Sequence, residues 1–247
     1  MTTEARHHTS GSLRTAVALA ATAGFVDAFV FLRVTPVFIA NMSGNLVHLG
    51  IATGGHDGRG VAAAAVALGG FLVGIIVATS HLDRRLDIGR WPSPETLLLL
   101  ESLLLAALPV LIRVMHIDYS PQIAPADYLL VVVGATAMGI QAVALRRVGQ
   151  VAVSTTYGTG AVVRLGEKLA LALRRAPRPG DVRRRVTIVV LGTVLVSYVL
   201  GAAVAAWCGA TPELLFVPAA VPLIGSFVLR AHQRTGDEVE SAVGSRE

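Results

Sequence analysis

Asn41-Met42-Ser43-Gly44-Asn45 is a polar knot set between apolar stretches, and the fold turns on how it is read. A second run, Thr155-Thr156-Tyr157-Gly158-Thr159-Gly160, lies in the same setting downstream. The surroundings of the two can be laid over each other. Asp27 falls on Gln141, Ala28 on Ala142, Arg33 on Arg147, Val34 on Val148 and Val37 on Val151. After a two-residue insertion Ser43 falls on Thr159, Gly44 on Gly160, Leu49 on Leu165 and Gly50 on Gly166. Two related halves, each with a polar break in apolar surroundings, form the sequence pattern of a membrane transporter's repeat.

Around these knots the chain is too apolar for a water-soluble domain. Of its 247 residues 53% are hydrophobic and 15% charged, and the mean hydropathy is +0.65. A helix needs roughly 20 apolar residues to cross a hydrocarbon core about 30 Å thick, and runs of about that length recur. The pI of about 10.1 does not point to nucleic acid, because the arginines stand at the ends of apolar runs, where loop charge sets membrane orientation. Cys208 is the single cysteine, so no internal disulfide and no cysteine-based metal site is expected.

Taken in order, residues 1–12 are polar and read as a disordered tail. Leu13 to Leu32 is the first crossing. It is too long for a signal peptide, and the repeat begins inside it. Asp27 lies in this run, where a carboxylate is costly and reads as functional unless it pairs with Arg33. Val34 to Ala40 is β-branched and broken by Pro36, which favours an extended limb. Ser43 is expected to cap a short helix from Gly44 to Thr53, which rises only about 15 Å, half the core. Val61 to Thr79 and Thr96 to Ile112 are full crossings. Glu101 in the second of them is read either as a proton carrier or as a hydrogen-bonding group between helices. In the second half Tyr128 to Leu145 crosses, Val148 to Thr156 is again extended, and Thr159 caps a helix from Gly160 to about Leu173. Val186 to Trp207 and Leu214 to Leu229 complete the crossings, and residues 230–247 read as a second disordered tail.

Charge chooses between six crossings with re-entrant knots and eight crossings. With six, and both termini in the cytoplasm, only Arg33, Arg59 and Arg113 of the 21 basic residues lie outside. With eight, Arg33, Arg84, Arg85, Arg90, Arg146 and Arg147 fall on the wrong side, so six is preferred. Three crossings per half is an odd number, which inverts one half relative to the other. The expected fold is therefore all-α and membrane-integral: one domain over residues 13–229, made of inverted repeats at 13–114 and 128–229, each with a re-entrant limb and half-helix. Irregular backbone at that depth must be buried in protein or line a watery cavity.

Gly24-Phe25-Val26-Asp27-Ala28, the first knot, and Ala144-Leu145-Arg146-Arg147-Val148 followed by the second knot together resemble the YoaK family of small bacterial integral membrane proteins. The resemblance runs from about Leu13 to Leu229, with Ser43 standing where threonine is expected. It implies a multi-pass protein of the bacterial inner membrane and supplies no substrate.

Three functions follow for weighing. As a secondary transporter or channel-like carrier, the chain would bind a small polar solute between Asn41, Ser43 and Asn45 on one tip and Thr155, Thr156, Tyr157 and Thr159 on the other. Asp27 and Gln141 would stand beside that site, with protons coupled through Asp27. As an intramembrane enzyme it would rely on Met42-Ser43-Gly44, which is similar to the serine motif of rhomboid-type proteases. No crossing supplies the general base such a serine needs, so no enzymatic activity is expected. As a structural or regulatory membrane protein, its knots would serve helix packing. The expected partners are membrane lipid and the solute, with a homo-oligomer compatible with the sequence. No cofactor, metal or nucleic acid is expected.

Overall fold

The structure is a computed structural model describing residues 3–87, 94–117, 123–148, 158–173, 181–209 and 211–244. Among these residues all regular structure is helical: α1 (Thr3–Arg33), α2 (Met42–Gly54), α3 (Gly58–Asp87), α4 (Pro94–Val114), α5 (Pro125–Val148), α6 (Gly158–Ala172) and α7 (Asp181–Trp207), then a 3-10 turn over Pro212–Leu215 that leads into α8 (Phe216–Gly244). Six stretches are long and apolar enough to cross a bilayer: Leu13–Arg33, Gly58–Asp87, Pro94–Val114, Pro125–Arg146, Arg184–Trp207 and Pro212–Arg230. The remaining helices, α2 and α6, have 13 and 15 residues. They rise only about 20 and 22 Å, short of a core about 30 Å thick.

The six helices coincide with the expected crossings and outrun most of them at the ends. Once a helix is nucleated, each further residue is added at little cost, so polar flanks continue it. The same propagation applies at the termini. α1 begins at Thr3 and α8 continues to Gly244, through stretches expected to be disordered tails. Pro222 sits inside α8 and Pro109 inside α4, a placement that membrane helices tolerate when neighbours satisfy the freed carbonyls.

Packing relates the two halves. α1 packs along α7, and α5 packs along α3; α2 lies on α3, and α6 lies on α7. α4 and α8 pack on each other, α4 also against α5 and α8 also against α1. Exchanging α1–α4 for α5–α8 maps every one of these pairs onto another or onto itself. Both long seams are built on glycine. A Cβ on Gly24 would run into the carbonyl oxygen of Tyr198, and one on Gly201 into that of Ala21. At the α3–α5 seam Gly74 meets the carbonyl of Thr136 and Gly139 that of Phe71. Where lipid offers no hydrophobic drive, such close backbone approach is what holds helices together.

The ends of the bundle are pinned by polar contacts. Tyr128 donates its hydroxyl to the Arg59 carbonyl at 3.3 Å, and Arg113 ion-pairs with Glu213. These join the starts of α3 and α5 and the 3-10 turn to the end of α4. At the opposite end Arg230 of α8 lies 3.9 Å from Glu95 at the start of α4.

Candidate functional site

After Arg33 the chain folds back along α1. Ile39 and Ala40 donate their backbone N–H groups to Asp27 Oδ1 at 2.8 and 2.6 Å. Asp27 lies nearly two turns before the end of α1, so the limb returns by about 9 Å along the helix axis. The other carboxylate oxygen accepts the Tyr198 hydroxyl of α7 at 2.5 Å. One side chain, 2% exposed, thus ties α1, the limb and α7 together. Buried backbone outside a helix must find partners: the N–H groups of Val34, Thr35 and Val37 find them on backbone carbonyls, and those of Phe38, Ile39 and Ala40 on side chains.

Asn45 completes the limb's support. Its Oδ1 accepts from the Phe38 N–H at 2.8 Å and its Nδ2 donates to the Phe38 carbonyl at 2.6 Å, so the amide pairs with both polar groups of one residue as a neighbouring strand would. That pairing sets where α2 begins. Asn41 is the N-cap: its Oδ1 accepts from Gly44 N–H at 3.3 Å and from the Ser43 hydroxyl at 2.8 Å. Ser43 was the expected cap and Gly44 the expected first residue; the helix instead starts at Met42. Asn and Ser are both good caps, and the Asn45–Phe38 pairing puts Asn41 at the turn. Phe38 stacks on Phe31, with ring centroids 4.7 Å apart, and the His48 ring packs edge-on against both.

In the second half α6 begins at Gly158, so Thr159 lies within its first turn and does not cap it. Thr155, Thr156 and Tyr157, with the limb expected beyond Val148, lie outside the described residues. Gln141, fully buried, donates its Nε2 to the Leu19 carbonyl of α1 at 2.9 Å. It fastens α5 to α1.

The tips of α2 and α6 meet at one cavity of about 490 Å³. Met42, Ser43 and Leu46 line it from α2, Gly158, Thr159 and Gly160 from α6, and Leu68, Phe71, Leu72 and Ile75 from the middle of α3. Its size is that of a small-molecule site, about 300–1,000 Å³. The walls are mainly apolar, and the hydroxyls that reach it belong to Ser43 and Thr159, the residues aligned with each other in the sequence. Of the expected site residues, then, the structure brings Ser43 and Thr159 together. Asp27, Asn41 and Asn45 serve the limb and α2, and Gln141 serves the α1–α5 contact. Sequence reading missed Tyr198 and the α3 wall. Tyr198 is the lone tyrosine in the apolar run Val186 to Trp207, a signal that was available; α3 carried none. Among the described residues no three His, Cys, Asp or Glu side chains gather to hold a metal.

Comparison with known proteins matches residues 15–229 to the family described as "Protein of unknown function (DUF1275)". One curated relative is the UPF0700 transmembrane protein YoaK of Bacillus subtilis (strain 168), 33% identical over 153 residues. That match covers 62% of this chain and 64% of the relative, so the chain spans less than two thirds of that protein's length. No solved structure matches the chain.

Proposed function

We propose that this chain, which belongs to the DUF1275 family of multi-pass transmembrane proteins, is a secondary transporter or channel-like carrier of a small polar solute. The observation that carries the reading is the cavity at the middle of α3, where the repeat-matched hydroxyls of Ser43 and Thr159 meet. Its two halves are inverted repeats of three crossings, each with a re-entrant segment. Three features support this: the neighbour pattern that survives exchange of the halves, the fold-back of the limb onto Asp27, and two helices too short to cross. Transporter sites lie where such broken segments converge near the bilayer midplane. The arginine distribution supports an inner-membrane protein with both termini in the cytoplasm.

Within this reading Asp27 is a positioning residue, since both of its oxygens hold structure. An enzymatic role is not proposed: among the described residues the Ser43 hydroxyl donates to Asn41 and the His48 ring packs on Phe31 and Phe38. A second reading, a structural or regulatory protein, is favoured by one observation, namely that Asp27, Asn41 and Asn45 each hold backbone groups of the limb or of the start of α2, as packing residues do.

A thermal-stability screen of the purified protein against small polar metabolites separates the two. A ligand that binds the native state raises apparent stability by RT ln(1 + [L]/Kd), about 2.7 kcal/mol at a hundredfold excess over Kd. The transporter reading expects a solute that stabilises the wild type and loses that effect in Ser43→Leu, whose side chain fills the cavity. A screen without hits, or a hit indifferent to Ser43→Leu and to Thr159→Leu, favours the packing reading.

A further inference from the structure

Glu101 is fully buried on α4, and neither of its carboxylate oxygens has a hydrogen-bond partner. Its neighbours in sequence show where it sits. Leu97 and Leu98, a turn before it, belong to the apolar cluster with Leu19, Ile140 and Ala144, whereas Leu105, a turn after it, belongs to the cluster with Val26 and Phe29. Leu104 packs against both clusters, so Glu101 lies at the seam between them. Gln141 of α5 and Thr22 of α1 fall on the same seam by the same test. Ser102, the next residue, donates its hydroxyl to the Ala219 carbonyl of α8 at 2.7 Å, which fixes this turn of α4 against α8.

Among the described residues no charged side chain pairs with the carboxyl. Of the elements packed on α4, α5 offers Asp127, which accepts from Ala124 N–H at 2.7 Å at the outer end, and Arg146 at the far end. α8 offers Arg230, which lies beside Glu95. The 3-10 turn offers Glu213, paired with Arg113. On α1, Asp27 is engaged with the limb and Tyr198. An ionised carboxylate buried without partner or hydrogen bond is among the least favourable groups a protein can hold, and such a group neutralises instead.

We propose that Glu101 is a proton-binding site at the centre of the bundle: it holds a proton in the packed state and releases it only when α4 shifts against α5 and α8 to admit water. Release breaks the carboxyl O–H bond and passes the proton to water, leaving a carboxylate that water must solvate, so ionisation and the opening of this seam are one event. Proton coupling at Glu101 rests on the transport reading above; the bound proton does not.

Infrared spectroscopy of the full chain in phosphatidylcholine vesicles at neutral pH tests this. The expected result is a protonated-carboxyl C=O band that moves when glutamate is labelled with carbon-13, disappears in Glu101→Gln, and shifts on transfer to D2O as the proton exchanges. Should Glu101→Gln not fold, Glu101→Asp serves: the band should persist but no longer respond to glutamate labelling. Absence of a glutamate-sensitive band, its survival in Glu101→Gln or in the labelled Glu101→Asp protein, or its failure to shift in D2O at equilibrium overturns the proposal. A metabolite screen without hits leaves this result intact, so the two failures are distinguishable.

Discussion

Asn45 and Asp27 hold the same few residues of backbone, and their chemistry differs in a way that mutation can read. Asn45→Ala leaves the part-buried Phe38 N–H and C=O without this partner, and an unsatisfied buried group costs about 1–3 kcal/mol, so this variant should show a clear fall in melting temperature. Asp27→Asn keeps the side chain's shape but turns a donor toward either the limb's N–H groups or the Tyr198 hydroxyl. It should destabilise more than Tyr198→Phe, which removes one hydrogen bond worth about 1 kcal/mol. Thermal unfolding in one detergent ranks the three, and an Asp27→Asn protein that melts with the wild type would refute the tie that Asp27 makes between α1, the limb and α7. The sequence marked Asp27 as out of place in an apolar run, but not what it binds. Its partners lie at the end of a fold-back and on α7, 171 residues away, and no local pattern encodes a contact at that separation. Ser43 was legible as a cap and Asn41 was not; the Asn45–Phe38 pairing puts Asn41 at the turn instead.

Helices were the most legible level, because twenty apolar residues in a row have one economical solution in lipid, where every backbone group must be paired within the segment. What hydropathy could not reveal is which helix touches which. That is set by glycine, whose missing side chain lets α1 approach α7 and α3 approach α5. Gly74→Val and Gly201→Val should each overpack a seam and destabilise by about 1–3 kcal/mol or more. Gly69→Ala on α3 should show no loss, since nothing lies within 4 Å of the added methyl. Unfolding midpoints in mixed micelles check the contrast. Equal losses at Gly69 and Gly74 would mean that helix flexibility, and not close packing, is what these glycines supply. Helix ends were less legible than helix centres, because propagation into polar flanks is nearly free and leaves no mark in a hydropathy run.

At the scale of the whole molecule the proposed inverted-repeat architecture rests on two short helices, α2 and α6, whose first turns line one cavity. The sequence aligns residues as different as Asp27 and Gln141 because the surrounding pattern matches, and from it Ser43 and Thr159 were expected at one site; the α3 wall of that site needed the fold. Cysteine labelling in intact cells tests this architecture most directly. Cys208 is exposed and is first replaced by serine. Single cysteines then go to Arg33 and Gly55, which flank the first knot, and to Arg146 and Arg185, which flank the second. The account predicts that Arg33 and Gly55 both react with a membrane-impermeant maleimide from the outside, and that Arg146 and Arg185 both react only after the membrane is opened. Labelling of Arg33 and Gly55 from opposite faces would mean that the first knot crosses the bilayer, and would contradict it.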